Sequence, residues 1–152
     1  MTLYLDTSSA IKLYIVEAGS DVVRALVNDA AVVATSSITY AETRAALARL
    51  RRDRALSVPK FTSAKREFEQ QWPSFMKLDA TDALCRTAGE LAERYRLRGF
   101  DSVHLATFAE VARRAGPRET RFSSFDDRLN QAAQKFARRL ERPTAARGGT
   151  KP

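Results

Sequence analysis

Four acidic residues stand where predicted strands end or predicted helices begin, and carboxylates in such places can bind metal ions. Asp6 follows the apolar run Leu3–Leu5, and Asp126 closely follows another short apolar run. Glu42 comes early in the helical pattern after the second strand, and Asp101 opens a later helical pattern. A buried carboxylate is unfavourable unless a partner satisfies it, and ligands of open α/β sheets bind beyond the carboxyl ends of the strands. We therefore expect the four acids to meet at one edge of a sheet.

Two of these acids are aligned with the apolar face of their predicted helix. In the helix near residues 38–54, the predicted apolar stripe consists of Ile38, Ala41, Ala45 and Ala48. Glu42 follows Ile38 by four residues and borders that stripe. In the helix from residue 102, Asp101 precedes Leu105 by four residues and is in line with a stripe of Leu105, Phe108 and Ala112. An acid on such a face needs a partner, and a metal ion is one strong option.

Each acid also has a purely structural explanation. Asp6, Asp101 and Asp126 can each cap the N-terminus of a helix, which is a common use of aspartate. Asp6 can also form an Asx turn, and Glu42 can pair with an arginine such as Arg44. These alternatives stay open for each residue alone. They explain less well why four acids from four elements would converge on one end of one sheet.

The other residue types of the chain limit which metal sites and catalytic sites it can form. Four carboxylates favour a hard divalent cation with oxygen ligands, Mg²⁺ or Mn²⁺. His104 is the only histidine and Cys85 the only cysteine, which excludes a zinc site built from several such residues. We interpret His104 as a packing or hydrogen-bonding residue and Cys85 as a packing residue. No glycine-rich phosphate loop and no nucleophile-elbow motif is present.

The chain is basic, with 26 lysines and arginines against 18 acids and a formal net charge of +8. Such a balance favours a polyanionic partner, although a solvated basic surface is the alternative. The basic residues cluster at Arg49–Arg54, Arg94–Arg98, Arg113–Arg121 and Arg138–Arg147. Metal ions held by carboxylates beside a basic surface point to the hydrolysis of phosphodiester bonds.

Short apolar runs alternate with longer helical patterns, which predicts an α/β domain with a mostly parallel sheet. Strands are predicted at Leu3–Leu5, Ala31–Thr35, Phe75–Leu78 and Arg121–Ser124. Helices are predicted near residues 8–16, 20–29, 38–54, 60–72, 81–97, 102–115 and 126–137. We expect one domain over residues 1–140 and a flexible basic tail over residues 141–152. We expect neither a signal peptide nor a membrane span, and a location in the reducing cytoplasm.

Four segments of the chain resemble the motifs of a known family, in order and over about residues 2–135. They read LYLDTSSAIKLYI, TSSITYAETRAALARL, LRGFDSVHLATFAE and RFSSFDDRLNQAA. Together they resemble the PIN-domain ribonucleases, and most closely the VapC-type toxins of prokaryotic toxin–antitoxin pairs. The resemblance implies a PIN-like α/β/α sandwich with a central, mostly parallel sheet of four or five strands.

The resemblance also implies roles for individual residues. Asp6 and Asp101 would be the primary ligands of Mg²⁺ or Mn²⁺, and Glu42 would complete the site and position or deprotonate water. Asp126 would be a more distant ligand or would hold water, and its neighbour Asp127 makes this assignment ambiguous. Two serines would hydrogen-bond the ligands or metal-bound waters, and these are Ser8 and Ser124.

The implied activity is endonucleolytic cleavage of RNA by metal-activated water, with tRNA a frequent target class. The implied partner is a small VapB-type antitoxin whose C-terminal segment covers the site, and homodimers are usual.

Two other functions compete with this reading. A non-catalytic α/β module could bind RNA or a protein through its arginines. A buried acidic cluster would not strengthen the binding of RNA by such a module. A phosphoryl-transfer enzyme of another doubly wound fold is the third hypothesis. A haloacid-dehalogenase-like site would need an acid at position 8, where the chain has Ser8. A response-regulator receiver would need an acidic pair near the first strand and a lysine at a late strand end, and neither is evident.

Overall fold

A computed structural model describes residues 1–141 of the chain. Those residues contain one four-stranded sheet in the order β3-β2-β1-β4, and every strand pair is parallel. The strands are β1 (Thr2–Leu5), β2 (Val32–Ser36), β3 (Met76–Leu78) and β4 (Thr120–Ser123). Their ends lie within one residue of the predicted ones. The predicted parallel α/β architecture is therefore confirmed.

Seven α-helices connect or flank the strands in the described part of the chain. They are α1 (Thr7–Ala10), α2 (Ser20–Asp29), α3 (Ile38–Arg52), α4 (Val58–Gln71), α5 (Asp82–Tyr95), α6 (Gly99–Ala115) and α7 (Asp127–Glu141). A 3₁₀ turn, Ile11–Leu13, extends α1. The side chains of Ser57 and Thr81 cap α4 and α5 by accepting a hydrogen bond from a backbone N–H of the first turn.

Helices cover both faces of the sheet, which makes the fold an α/β/α sandwich. Tyr4 of β1 is fully buried against residues of α5, α6 and α7 on one face. Leu3 and Leu5 point to the other face and pack with Val23 of α2. The continuous apolar run of β1 is the pattern of a strand that is buried on both sides. Because β1 lies between β2 and β4, the residue that follows it, Asp6, enters the centre of the carboxyl edge.

The predicted apolar stripe of α3 is wrong. Ala41 and Ala45 are exposed, and the buried face of this helix is formed by Thr39, Thr43 and Leu47. The hydroxyl of Thr39 lies 2.8 Å from the hydroxyl of Thr35, so the threonine is buried with a hydrogen-bond partner. Glu42 nevertheless borders this buried face, because it follows the buried Thr39 by three residues.

The stripe predicted for α6 is confirmed, since Leu105, Phe108 and Ala112 are all buried. Cys85, interpreted above as a packing residue, is exposed. Within residues 1–141, no helix is long and apolar enough to cross a membrane. Except for Glu141, which ends α7, the predicted basic tail lies outside the described residues.

Candidate active site

One cavity at the carboxyl edge of the sheet brings the four predicted acids together. Its volume is about 1040 Å³, and its lining includes Asp6, Glu42, Asp101 and Asp126. Asp6 arrives from the end of β1, Glu42 from α3, and Asp101 from the first turn of α6. Asp126 is the residue before α7. Four separate elements thus deliver one carboxylate each to a shared space.

Asp6 is the most deeply placed of the four, with 4% of its surface exposed. Its Oδ1 accepts a 2.9 Å hydrogen bond from the backbone N–H of Ser9, so Asp6 does cap α1. Its Oδ2 accepts a 2.6 Å hydrogen bond from the hydroxyl of Ser124. The hydroxyl of Ser8 lies 2.8 Å and 2.9 Å from the two carboxylate oxygens. Both predicted serines therefore contact this carboxylate.

Burial makes the ionised form of Asp6 unfavourable, so the charge of this carboxylate depends on its neighbours. Burial raises the pKa of Asp6, and the hydrogen bonds from Ser124, Ser9 and Ser8 only partly oppose that effect. A nearby positive charge would stabilise the ionised carboxylate. The capping role and a ligand role are compatible, because the residue also lines the cavity.

Glu42 is held by a hydrogen-bonded chain that reaches into the core. Its Oε2 accepts hydrogen bonds from the hydroxyl of Thr7 at 2.5 Å and from Nε2 of His104 at 2.9 Å. On the other side of the ring, Nδ1 of His104 lies 2.9 Å from the hydroxyl of Tyr4. Nε2 donates to the carboxylate of Glu42, and the hydroxyl of Tyr4 lies on the opposite side of the ring, where burial raises the pKa of Tyr4 well above its usual value. The chain therefore runs from Glu42 through His104 to Tyr4.

These contacts set the charge of Glu42. Burial alone would raise the pKa of this carboxyl, but the hydrogen bonds from His104 and Thr7 outweigh burial and lower it. Glu42 is therefore ionised at neutral pH. Arg44, the suggested partner of Glu42, pairs with Glu69 instead. His104 acts as a hydrogen-bonding residue, as expected, but its position next to a site carboxylate was not foreseen.

Asp101 and Asp126 share one arginine. Nε of Arg98 lies 3.2 Å from Oδ2 of Asp101, and Nη2 of Arg98 lies 3.4 Å from Oδ2 of Asp126. The arginine side chain is 79% exposed, whereas the two aspartates are 23% and 30% exposed. Oδ1 of Asp126 accepts a 2.9 Å hydrogen bond from the backbone N–H of Leu129, so this residue also caps α7. Asp101 lies in the first turn of α6 and is not its cap.

The neighbouring acid, Asp127, is exposed and is absent from the lining of the main cavity. Asp126, in contrast, lines that cavity. Arg49 of α3 also lines the cavity and adds a second exposed guanidinium to Arg98. The lining of the cavity therefore combines carboxylates with basic side chains.

The chemistry of the donor set fits a hard divalent cation. Among residues 1–141, no three Asp, Glu, His or Cys side chains are grouped closely enough to hold one ion. The carboxylates are instead engaged by hydroxyls, by an imidazole and by the guanidinium of Arg98. Four oxygen donors nevertheless face one cavity, and a guanidinium already supplies positive charge between two of them.

Comparisons with known proteins agree with this architecture. A family model described as the PIN domain matches residues 3–135. Ribonuclease VapC45 of Mycobacterium tuberculosis (strain CDC 1551 / Oshkosh) is 35% identical over 109 residues, which cover 72% of this chain and 76% of that protein. Ribonuclease VapC35 of the same strain is 28% identical over 147 residues, which cover 95% of this chain and 99% of that protein.

A solved structure resembles the fold as a whole. The crystal structure of Mycobacterium tuberculosis VapC20, described as a Sarcin-Ricin loop cleaving toxin, superposes with a TM-score of 0.62 at 20% sequence identity. The match covers 86% of this chain and 94% of that one. At this identity the likeness bears on the fold, and it agrees with the α/β/α sandwich described above.

Proposed function

This chain belongs to the PIN-domain family, among the VapC ribonucleases, and from that premise we propose that it is the toxin of a VapBC-type toxin–antitoxin pair. Its activity is endonucleolytic: it hydrolyses phosphodiester bonds of RNA with water activated by Mg²⁺ or Mn²⁺. The observation that carries the proposal is the convergence of four carboxylates, from four elements, on one cavity of a basic protein.

Asp6 and Asp101 are the primary ligands in this proposal. Glu42 completes the site and orients or deprotonates the attacking water, and Asp126 is a more distant ligand or holds water. When bound, the cation lowers the pKa of that water and neutralises charge on the phosphate. The resemblance and the chemistry of the donor set support these roles.

The surrounding residues orient the carboxylates. Ser8 and Ser124 keep the oxygens of Asp6 in place through their hydroxyls. His104 and Thr7 hold Glu42 ionised, so that it is free to accept a proton at neutral pH. Tyr4 fixes the far side of the His104 ring.

Basic residues would bind the RNA backbone next to this acidic cluster. Arg49 and Arg98 both line the cavity and are exposed. In this proposal Arg98 leaves its two aspartates when the cation binds and contacts a phosphate of the substrate instead. A guanidinium suits that exchange because it pairs equally well with carboxylate and phosphate oxygens.

The partners follow from the family. We propose a VapB-type antitoxin whose C-terminal segment covers the cavity, a homodimeric toxin, and action in the cytoplasm. The RNA target is either a tRNA or an RNA loop, since the structurally similar VapC20 is a Sarcin-Ricin loop cleaving toxin.

The test is cleavage of total RNA by purified protein with Mg²⁺, with Mn²⁺ or with EDTA. We expect discrete fragments from the wild type only when metal is present, and none from Asp6→Asn or Asp101→Asn. Asp21→Asn is the matched control, because Asp21 is fully exposed on α2 and away from the cavity. Metal-dependent binding of RNA without cleavage would favour the non-catalytic module. Cleavage that survives EDTA and both variants would refute the proposed site.

A further inference from the structure

Two exposed aromatic rings line the cavity that holds the carboxylates. Eight large apolar side chains are exposed among the described residues, and the two aromatic ones are Phe100, at 64% exposure, and Phe125, at 45%. The other six phenylalanines of the chain are buried or half-buried. Single exposed apolar residues are common on protein surfaces. Here, however, both rings border one cavity, and each belongs to the residue just before a site carboxylate, Asp101 or Asp126.

The ring of Phe125 is fixed in place rather than loosely exposed. The ammonium of Lys12 lies 4.3 Å from the centroid of the ring, in cation–π contact. That lysine is itself buried and bound to Glu17 and to the carbonyl of Ala18. The backbone N–H of Phe125 donates a 2.8 Å hydrogen bond to Ser8. The backbone of this residue is therefore tied to a serine that contacts Asp6.

Gly19 provides the space that the ring of Phe125 needs. A Cβ at position 19 would collide with the Cε1 and Cζ atoms of the ring. Gly19 also has a φ of +88°, a conformation that favours glycine. A ring held by a buried ammonium and a glycine backbone, yet nearly half open to the cavity, is a preformed flat surface.

Phe100 is more open and lies on the first turn of α6. It is flanked by Gly99 and Asp101, and a Cβ at Gly99 would meet nothing within 4 Å. The approach to Phe100 is therefore uncrowded on the glycine side. The exposed guanidinium of Arg98 is two residues away and lines the same cavity.

We infer that Phe100 and Phe125 are stacking surfaces for unpaired RNA bases next to the phosphate that lies at the carboxylates. The inference rests on the proposed ribonuclease function and adds two residues to it: Phe100 and Phe125 bind the bases that flank the cleaved phosphate. Unpaired bases stack on aromatic side chains in many RNA-binding proteins, whereas paired bases offer no free face. Arg49 and Arg98 supply positive charge for the phosphates on either side of such a base.

The basic groups of the cavity favour RNA over an apolar protein segment as the occupant. The two rings line the cavity together with the guanidiniums of Arg49 and Arg98 and with the site carboxylates, on a chain of formal net charge +8. An apolar segment would cover the rings but would bring no anion to either guanidinium. A base with its phosphates matches both features at once. A protein segment that uses the rings is thus the alternative that the experiment must exclude.

The test measures stacking directly, with a short single-stranded RNA that carries 2-aminopurine, whose fluorescence is quenched when it stacks. Full-length protein is mixed with this RNA in the presence of Mn²⁺, because in this proposal Arg98 reaches the phosphates only when the cation is bound. Quenching is read by stopped flow before cleavage proceeds. The variants are Phe100→Leu and Phe125→Leu, which stay apolar but lose the ring, and Phe125→Tyr, which keeps it. Val58→Ala is the matched control, because Val58 is an exposed apolar residue of α4 outside the cavity. Circular dichroism and thermal unfolding verify that every variant is folded.

We expect the wild type, Phe125→Tyr and Val58→Ala to quench the probe alike. Each leucine variant should lose quenching and bind the RNA about 5- to 100-fold more weakly, which is the usual effect of removing a stacking ring. In the cleavage of total RNA with Mn²⁺, the leucine variants should raise KM more than they lower kcat.

Unchanged quenching and affinity in both leucine variants would overturn the inference, as would a wild type that does not quench the probe. Leucine variants that cleave RNA normally but resist a VapB-type antitoxin would assign the rings to a protein partner and also overturn it. The proposed function fails on a different result, namely a wild type that leaves total RNA intact with every metal. The two failures are therefore distinguishable.

Discussion

Asp6 and Glu42 are held by hydroxyl, amide and imidazole groups, whereas Asp101 and Asp126 share the guanidinium of one exposed arginine. The first pair is set from within the fold, through β1, α1 and the buried ring of His104. The second pair is bridged from the surface by Arg98, which is 79% exposed. We call Asp6 and Glu42 the inner pair and Asp101 and Asp126 the outer pair. Groups fixed by the fold orient the inner carboxylates, whereas an exposed arginine neutralises the charge of the outer ones.

The difference between the inner and outer pairs is tested most strongly by removing one carboxylate from each pair. Asp6→Asn should reduce cleavage by about 100- to 1000-fold, because it removes the charge of a proposed primary ligand that Ser8, Ser9 and Ser124 hold in place. Asp126→Asn should reduce cleavage by only about 10-fold, because the asparagine can still cap α7 and Asp126 is proposed as the more distant ligand. Single-turnover cleavage rates of total RNA measure both. Equal losses of cleavage rate in the two variants would show that the inner and outer carboxylates contribute equally, which contradicts this prediction.

The role of the inner pair is tested further by replacing His104, whose ring donates a hydrogen bond to Glu42. His104→Leu should lower the cleavage rate about 10- to 100-fold, because Glu42 loses an orienting hydrogen bond. The hydroxyl of Tyr4 also loses its partner, which should cost about 1–3 kcal/mol of unfolding free energy. His104→Gln, which keeps a donor and an acceptor, should recover part of both. Rates and urea unfolding of the two variants provide the measurement, and a fully active leucine variant would contradict the orienting role.

Removal of Arg98, which pairs with the outer carboxylates, should increase the affinity of the protein for metal. Arg98→Gln should increase the affinity for Mn²⁺ by at most about fivefold, since exposed ion pairs contribute little. The same change should weaken RNA binding and reduce its dependence on salt. Titration calorimetry with Mn²⁺ tests the first effect, and Arg86→Gln, an exposed arginine of α5 outside the cavity, is the control. Weaker metal binding in Arg98→Gln would show that the arginine does not compete with the ion.

The smallest effect concerns stability without metal. Because the pKa of Asp6 is raised in the folded state, its ionised form destabilises the protein above that pKa, and the penalty disappears as the pH falls below it. Asp6→Asn should therefore increase the unfolding free energy in EDTA at neutral pH, on the order of 1 kcal/mol. The asparagine can still accept from Ser9 and donate to the two serine hydroxyls. Urea unfolding at several pH values measures the gain, and a gain that grows toward acid pH would contradict this sign.

The sequence was informative where short-range pattern decides the structure. β1 was predictable because its apolar run ends abruptly at Asp6, and the four strands followed from similar runs between helical patterns. The convergence of the acids followed from the rule that the carboxyl ends of parallel strands share one edge. Ser8 and Ser124 were suggested only by the family resemblance, and each lies against Asp6.

Contacts between distant parts of the chain were not predictable in this way. His104 meets Glu42 across 62 positions of sequence, and Arg98 meets Asp126 across 28. No local pattern signals either contact, although the position of His104 one helical turn after Asp101 was a usable hint. The apolar stripe of α3 was misassigned because Thr39 and Thr43 are buried there, and periodicity counts threonine as polar.

The most direct test of the central claim is a titration of Mn²⁺ into the wild type, Asp6→Asn, Asp101→Asn and the control Asp21→Asn. One preparation of each protein is used for calorimetry and for cleavage of RNA. If the carboxylates of the cavity form one metal site, the wild type and the control bind Mn²⁺ and cleave, and both asparagine variants of the cavity lose binding and cleavage together. Binding of Mn²⁺ that is unchanged in Asp6→Asn and Asp101→Asn would contradict the claim.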